Sequence, residues 1–245
     1  MLKSDLELRS VIEGLYRTFS RYRLPTHVHG CPHCTSQRDH ALLYAKALRD
    51  LGPDEIARYS FNAMTTWGDP DDFRHFLPRI FELISADGGG WTIPEAVFAK
   101  LPYGQWERWP SDEQRAITSF FETLWSNVLD HFPHVFSAED CLRCIAQADD
   151  EMAPYLGRWR IANSLSHAKH FAAFIEYNPQ WSRRHGWSLS STYWTERPVP
   201  ARQVIEWLRD PARQSEMEQA FFHLARDEED TALLSKAADD LARLY

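Results

Sequence analysis

Apolar residues recur three and four positions apart over most of the chain, the spacing that lays one face of an α-helix against a core. Between positions 111 and 131, Ile117, Phe120, Phe121, Leu124, Trp125 and Val128 make one such stripe. Val204, Ile205, Trp207 and Leu208 make a second, and Leu233, Leu234, Ala237, Leu241 and Leu244 a third. Start signals agree with the stripes. Ser4/Glu7, Ser36/Asp39, Ser111/Gln114 and Ser137/Asp140 each place a hydroxyl three residues before an acid or amide, the form of a capping box. Pro53, Pro70, Pro200 and Pro211 stand where a first helical residue would, a position at which the missing N–H costs nothing. The pattern predicts about eleven helices: 4–21, 36–51, 53–67, 69–85, 93–100, 111–131, 137–148, 153–177, 200–209, 211–225 and 229–244. Pro78 falls inside the fourth and should kink or split it.

Strand signals are few. Only Trp187 to Trp194 alternates roughly with period two, and it lies in the long connection 178–199. The expected fold class is therefore all-α, an irregular multi-helix bundle. A HEAT-like α-solenoid is the alternative, because Leu48-Arg49-Asp50 followed by Pro53 is loosely echoed by Leu208-Arg209-Asp210 followed by Pro211. The length suits one helical domain over 1–245, or two closely packed subdomains, 1–86 and 91–245, joined by Gly88-Gly89-Gly90. That glycine run precedes a polar helix and follows no strand, so it reads as a connector rather than a phosphate loop.

Composition and charge narrow the partners. Bulky apolar residues are spread along the chain, which excludes disorder, and no window approaches the roughly 20 apolar residues of a membrane span. The first residues lack a signal-peptide stretch, so the cytoplasm is the expected compartment. With 27 Lys+Arg against 35 Asp+Glu, the net charge of −8 argues against nucleic acid and favours a protein partner with a basic surface. The connection 178–199 carries Trp181, Trp187, Tyr193 and Trp194, residue types suited to an interface, and these are the candidate partner-binding residues.

The candidate chemistry lies in the cysteines. Cys31/Cys34 and Cys141/Cys144 each have the two-residue gap of a metal knuckle, and His27, His29, His33 and His40 surround the first pair. A structural zinc ion would take Cys31 and Cys34 with either Cys141 and Cys144 or two of these histidines, leaving no open position on the metal. Buried, reduced cysteines acting as small apolar residues are the competing reading, which suits Cys141 and Cys144 best.

Cys31-Pro32-His33-Cys34 also resembles the active-site motif of the DsbA-type thiol oxidoreductases of the thioredoxin superfamily. The resemblance covers these four residues. It implies thiol–disulfide exchange, with the first cysteine activated at a helix N-terminus, and a helix is predicted from about 36. That family also has a strand entering the motif, whereas 21–26 reads as no strand, and Val199-Pro200 leads into a helix.

Three function classes follow. The favoured one is a non-catalytic helical protein, a protein-binding, inhibitor or immunity-type factor with an acidic aromatic surface and a zinc staple within its scope. The second is a thiol–disulfide oxidoreductase using Cys31/Cys34. The third is a metal-dependent helical enzyme built on His167, His170 and the acids 149–151, or on Asp71, Asp72 and His75.

Overall fold

The structure, a computed structural model, describes residues 2–182 and 186–244, apart from the Trp181 side chain. It has the all-α multi-helix fold that the spacing predicts. The chain divides into two compact units, 1–124 and 125–245. The division falls inside a helix, and Gly88-Gly89-Gly90 lies within the first unit.

The first unit holds α1 (Lys3–Phe19), α2 (Gln37–Leu43), α3 (Pro53–Asn62), α4 (Pro70–Asp87), α5 (Pro94–Phe98) and α6 (Lys100–Tyr103), and α7 (Ser111–Asp130) begins in it. One face of α1, with Leu8, Ile12, Leu15, Tyr16 and Phe19, is buried, and α1 packs on α4. Asp69 caps α4: its carboxylate accepts from the Asp71 and Asp72 amides at 2.9 and 3.0 Å, and Asp72 accepts in return from the Asp69 amide. Pro78 does not split α4. An interior proline costs about 3 kcal/mol, but this helix buries Phe73, Phe76, Leu77, Ile80, Phe81 and Ile84 at roughly 1.5–3 kcal/mol each. Packing wins. Gly88, at φ 74°, then closes the helix. Phe81 stacks on Phe120 at 4.6 Å and Phe98 on Phe121 at 5.2 Å, which joins α4, α5 and α7 into one aromatic core.

Two predicted helices end early here. α2 stops at Leu43, because Tyr44 leaves the helical region and its hydroxyl takes the Val28 amide (2.9 Å) while donating to the Pro25 carbonyl (3.0 Å). α3 stops at Asn62, and Met64 at φ 62° reverses the chain so that its amide reaches the Trp67 carbonyl at 2.9 Å.

The second unit continues with α8 (Ala138–Ala148), α9 (Ala153–Leu156), α10 (Leu165–Tyr177), β1 (Pro179–Ser182), β2 (Gly186–Leu189), α11 (Thr192–Glu196), α12 (Pro198–Leu208), α13 (Pro211–Leu224) and α14 (Glu228–Ala242). Both α10 and α13 pack on α14. The helix predicted over 153–177 is interrupted between Leu156 and Leu165. The break lets Trp159 turn inward among Trp125, Phe171, Phe174 and Trp207, all with ring centroids within 5.7 Å of its own. Ser164 restarts the helix by accepting from the His167 amide. In the long connection, β1 and β2 pair antiparallel with Trp181 opposite Trp187. The strand alternation ends at Leu189, since the Ser191 hydroxyl caps α11 immediately afterwards.

Candidate functional site

The Cys31–Cys34 motif sits in the first unit, in the loop between α1 and α2. Residues 29–31 lie antiparallel to 66–68: the Cys31 amide donates to the Thr66 carbonyl at 2.8 Å, and the Gly68 amide to the His29 carbonyl at 2.6 Å. Gly30 stands at the centre of this crossing. A Cβ there would lie 2.7 Å from Thr35 Oγ1 and 3.0 Å from Trp67 Cδ1, so the close approach requires glycine. Pro32 then opens a tight turn. The Cys34 amide, the Thr35 amide and the Thr35 hydroxyl all donate to the Cys31 carbonyl, at 2.9, 3.0 and 3.0 Å.

This turn sets the two thiols against each other. The Cys31 thiol is held below its ordinary range, first by the neighbouring His33 amide and then by the Cys34 thiol and amide, against a smaller opposing effect of burial. The Cys34 thiol is pushed up, first because it is the hydrogen-bond partner of Cys31 and then by burial, against the opposing pull of the Thr66 hydroxyl and the Arg58 charge. The two thiols are therefore unequal, Cys31 giving up its proton more readily than Cys34. Both cysteines are free and half-exposed, and Arg58 ties the turn to α3 by donating to the Cys34 carbonyl at 2.7 Å. The lowering comes from groups of the turn itself. In the thiol oxidoreductases that the motif resembles, it comes from a helix N-terminus; here α2 begins only at Gln37.

The surrounding imidazoles form a chain of ring contacts. His27 stacks on His40 at 5.0 Å and meets His29 edge-on at 5.2 Å, and His40 lies edge-on to Trp67 at 4.9 Å. Burial lowers the His40 pKa. His33, beside the thiols, is exposed. Among the described residues, no group of three or more His, Cys, Asp or Glu side chains is gathered as a bound metal ion would need. Cys141 and Cys144 lie in the second unit, fully buried on the inner face of α8, and burial drives the Cys141 thiol well above its ordinary range. Such a thiol stays protonated and inert.

The other candidates are placed as follows. Trp194 is buried, with 1% of its surface exposed, so it packs inward rather than facing a partner. Trp187 and Tyr193 are half-buried, and Trp187 borders an open cleft with Leu189, Pro198 and Ile205. The Trp181 side chain and the basic run 183–185 lie outside the described residues. The helical His and Asp groups are committed to the fold: His75 Nδ1 donates to the Tyr22 carbonyl (2.8 Å), His170 Nε2 to the His131 carbonyl (2.7 Å), and Asp150 pairs with Arg197 (2.7 Å).

No protein family model, curated protein or solved structure matches this chain. Its site is read from its own chemistry. A half-exposed dithiol with unequal thiols, held by a turn, can attack a disulfide with one sulfur and resolve the product with the other. Three residues that build it, Thr35, Arg58 and Thr66, carry no sequence motif. Gly30, which abuts Thr35 and Trp67, is a local trace of this close approach, and nothing in the sequence marks Arg58 or Thr66.

Proposed function

We propose that the protein carries out thiol–disulfide exchange through Cys31 and Cys34. The observation that supports this is the pair of free, half-exposed thiols set two residues apart by a turn that closes on the Cys31 carbonyl, the Cys31 thiol lowered and the Cys34 thiol raised. The Cys31 thiolate attacks one sulfur of a substrate disulfide, forming a mixed disulfide and releasing a thiolate that takes up a proton. Cys34 then gives up its proton and attacks Cys31 Sγ, breaking the mixed disulfide, and the second substrate thiol leaves. Two electrons pass to the substrate, and the protein is left with a Cys31–Cys34 disulfide. The reverse sequence oxidises a dithiol substrate. The lowering of its thiol pKa favours Cys31 both as attacking group and as leaving group.

The test is titration of the purified protein in reduced and oxidised glutathione, followed by mass spectrometry of the thiol state, with metal content measured on the same sample. Reversible loss of two hydrogens from Cys31/Cys34, absent in Cys34→Ser, is the expected result. A stoichiometric zinc ion that shields both thiols until it is chelated would replace this reading with the structural-zinc one. Failure to form the disulfide at any glutathione ratio would end it.

A second reading, attachment of a protein partner, rests on the cleft at β2 and α12. Trp187 lies there half-exposed beside Leu189 and Ile205, and the net charge of −8 favours a basic partner. Substituting Trp187→Ala with the thiol chemistry intact separates the two: loss of a partner with retained exchange would assign binding to the hairpin.

A further inference from the structure

A second concave site lies in the same unit and takes no part in the thiol chemistry. It is a cleft of about 830 Å³ between the end of α1, the segment that follows it, the turn at 47–50 and the middle of α4. That size lies within the usual range of small-molecule sites and far exceeds a bare inorganic ion. Tyr16, Tyr22, Leu48 and His75 are among its lining residues, and three arginines line it: Arg17, Arg23 and Arg49.

The arginines are not equivalent. Arg49 lies over the Tyr16 ring, 3.8 Å from its centroid, and is neutralised by Glu13 through two hydrogen bonds of 2.6 and 2.8 Å. Among the described residues, Arg17 and Arg23 make no ion pair, and both are exposed at the cleft. The one acid in the lining is Asp50. Two exposed guanidiniums on one concave wall, one of them also acting on Glu13, give the cleft a positive rim that stands out in a chain whose net charge is −8. Guanidinium is the group that matches a phosphate in charge and fork geometry, and aromatic walls suit a flat organic body.

We propose that this cleft binds a phosphate monoester with an aromatic body, the phosphate held by Arg17 and Arg23 and the ring lying against the wall of Tyr22, Leu48 and His75. The binding is independent of the Cys31/Cys34 chemistry, so either assignment can fail without the other.

Isothermal titration of the full chain at low salt tests it, with phenyl phosphate as the probe and inorganic phosphate and benzoate as comparators. The expected result is one saturable site for phenyl phosphate, about tenfold or more tighter than for either comparator. Arg17→Gln and Arg23→Gln should each weaken it by about tenfold, and Ala47→Glu, which puts a carboxylate in the lining, should abolish it. Arg115→Gln, an exposed arginine of α7 outside the cleft, should leave it unchanged. Circular dichroism checks that each variant folds, and the exposed positions chosen give three independent chances of a folded one. The proposal is overturned if no saturable binding appears. It is equally overturned if inorganic phosphate or benzoate binds as tightly as phenyl phosphate, or if Arg115→Gln weakens binding as much as Arg17→Gln.

Discussion

Gly30→Ala tests the close approach beside which the thiol turn is built. The backbone of Gly30 is not in the left-handed region, so the substitution tests space alone. The new methyl would lie 2.7 Å from Thr35 Oγ1, 3.1 Å from Thr35 Cγ2 and 3.0 Å from Trp67 Cδ1. None of these neighbours can easily yield. Thr35 is 9% exposed and its hydroxyl is bonded to the Cys31 carbonyl; Trp67 is 1% exposed, between the Tyr59 and His40 rings. The crossing of 29–31 over 66–68 must open by several tenths of an ångström, and overpacking of this kind costs about 1–3 kcal/mol. Opening it also moves the Cys31 carbonyl, onto which the turn closes, so Cys31 should lose reactivity toward a neutral disulfide probe at pH 7. Urea unfolding of Gly30→Ala, Thr35→Ala and the double variant measures the steric part. Because Thr35→Ala removes two of the three close atoms, Gly30→Ala should cost at least about 0.5 kcal/mol less in that background. Equal costs in both backgrounds, or a Gly30→Ala variant as stable as the parent with Cys31 equally reactive, would refute the reasoning.

Two further outcomes are expected. Tyr44→Phe removes the hydroxyl that joins the Val28 amide to the Pro25 carbonyl, and should cost about 1–2 kcal/mol, with faster hydrogen exchange at Val28 as the direct readout. His170, 4% exposed and packed against the Phe132 ring, has its pKa pushed down to about 4 by burial. The folded form therefore binds fewer protons than the unfolded one between about pH 6.5 and about 4. Its contribution is intact above 6.5 and is lost as pH falls through that window, at up to roughly 1.4 kcal/mol per pH unit. Chemical denaturation of the parent and of His170→Gln across that range should show a shallower pH dependence in the variant; identical slopes would refute the assignment.

The helical body was legible because its signals are local. Ser36 with Asp39 and Ser137 with Asp140 are caps as their spacing predicts, and the aromatic stripe of 111–131 is buried. The exceptions arise where a distant partner decides. Trp159 breaks a continuous apolar pattern because its ring fills the space among Trp125, Phe171 and Trp207, and nothing within 153–177 reveals that. Ser4 is not the first cap: α1 starts at Lys3, with Asp5 accepting from the Leu2 amide. The same division applies to the site. The spacing of Cys31 and Cys34 is local and could be read, whereas the segment that positions them, 66–68, is joined to it only by tertiary pairing. Pattern alone cannot say which long-range segment a two-residue crossing will choose.

The three donors that meet on the Cys31 carbonyl make the segment from Cys31 to Thr35 indivisible in length. One added or missing residue there would break two or all three of these bonds, whereas the exposed stretch 45–47, which lies before the 48–50 turn, has slack to absorb a residue. Insertions and deletions in chains of common descent should accordingly gather at 45–47 and spare 31–35, even where the histidines around the turn have drifted.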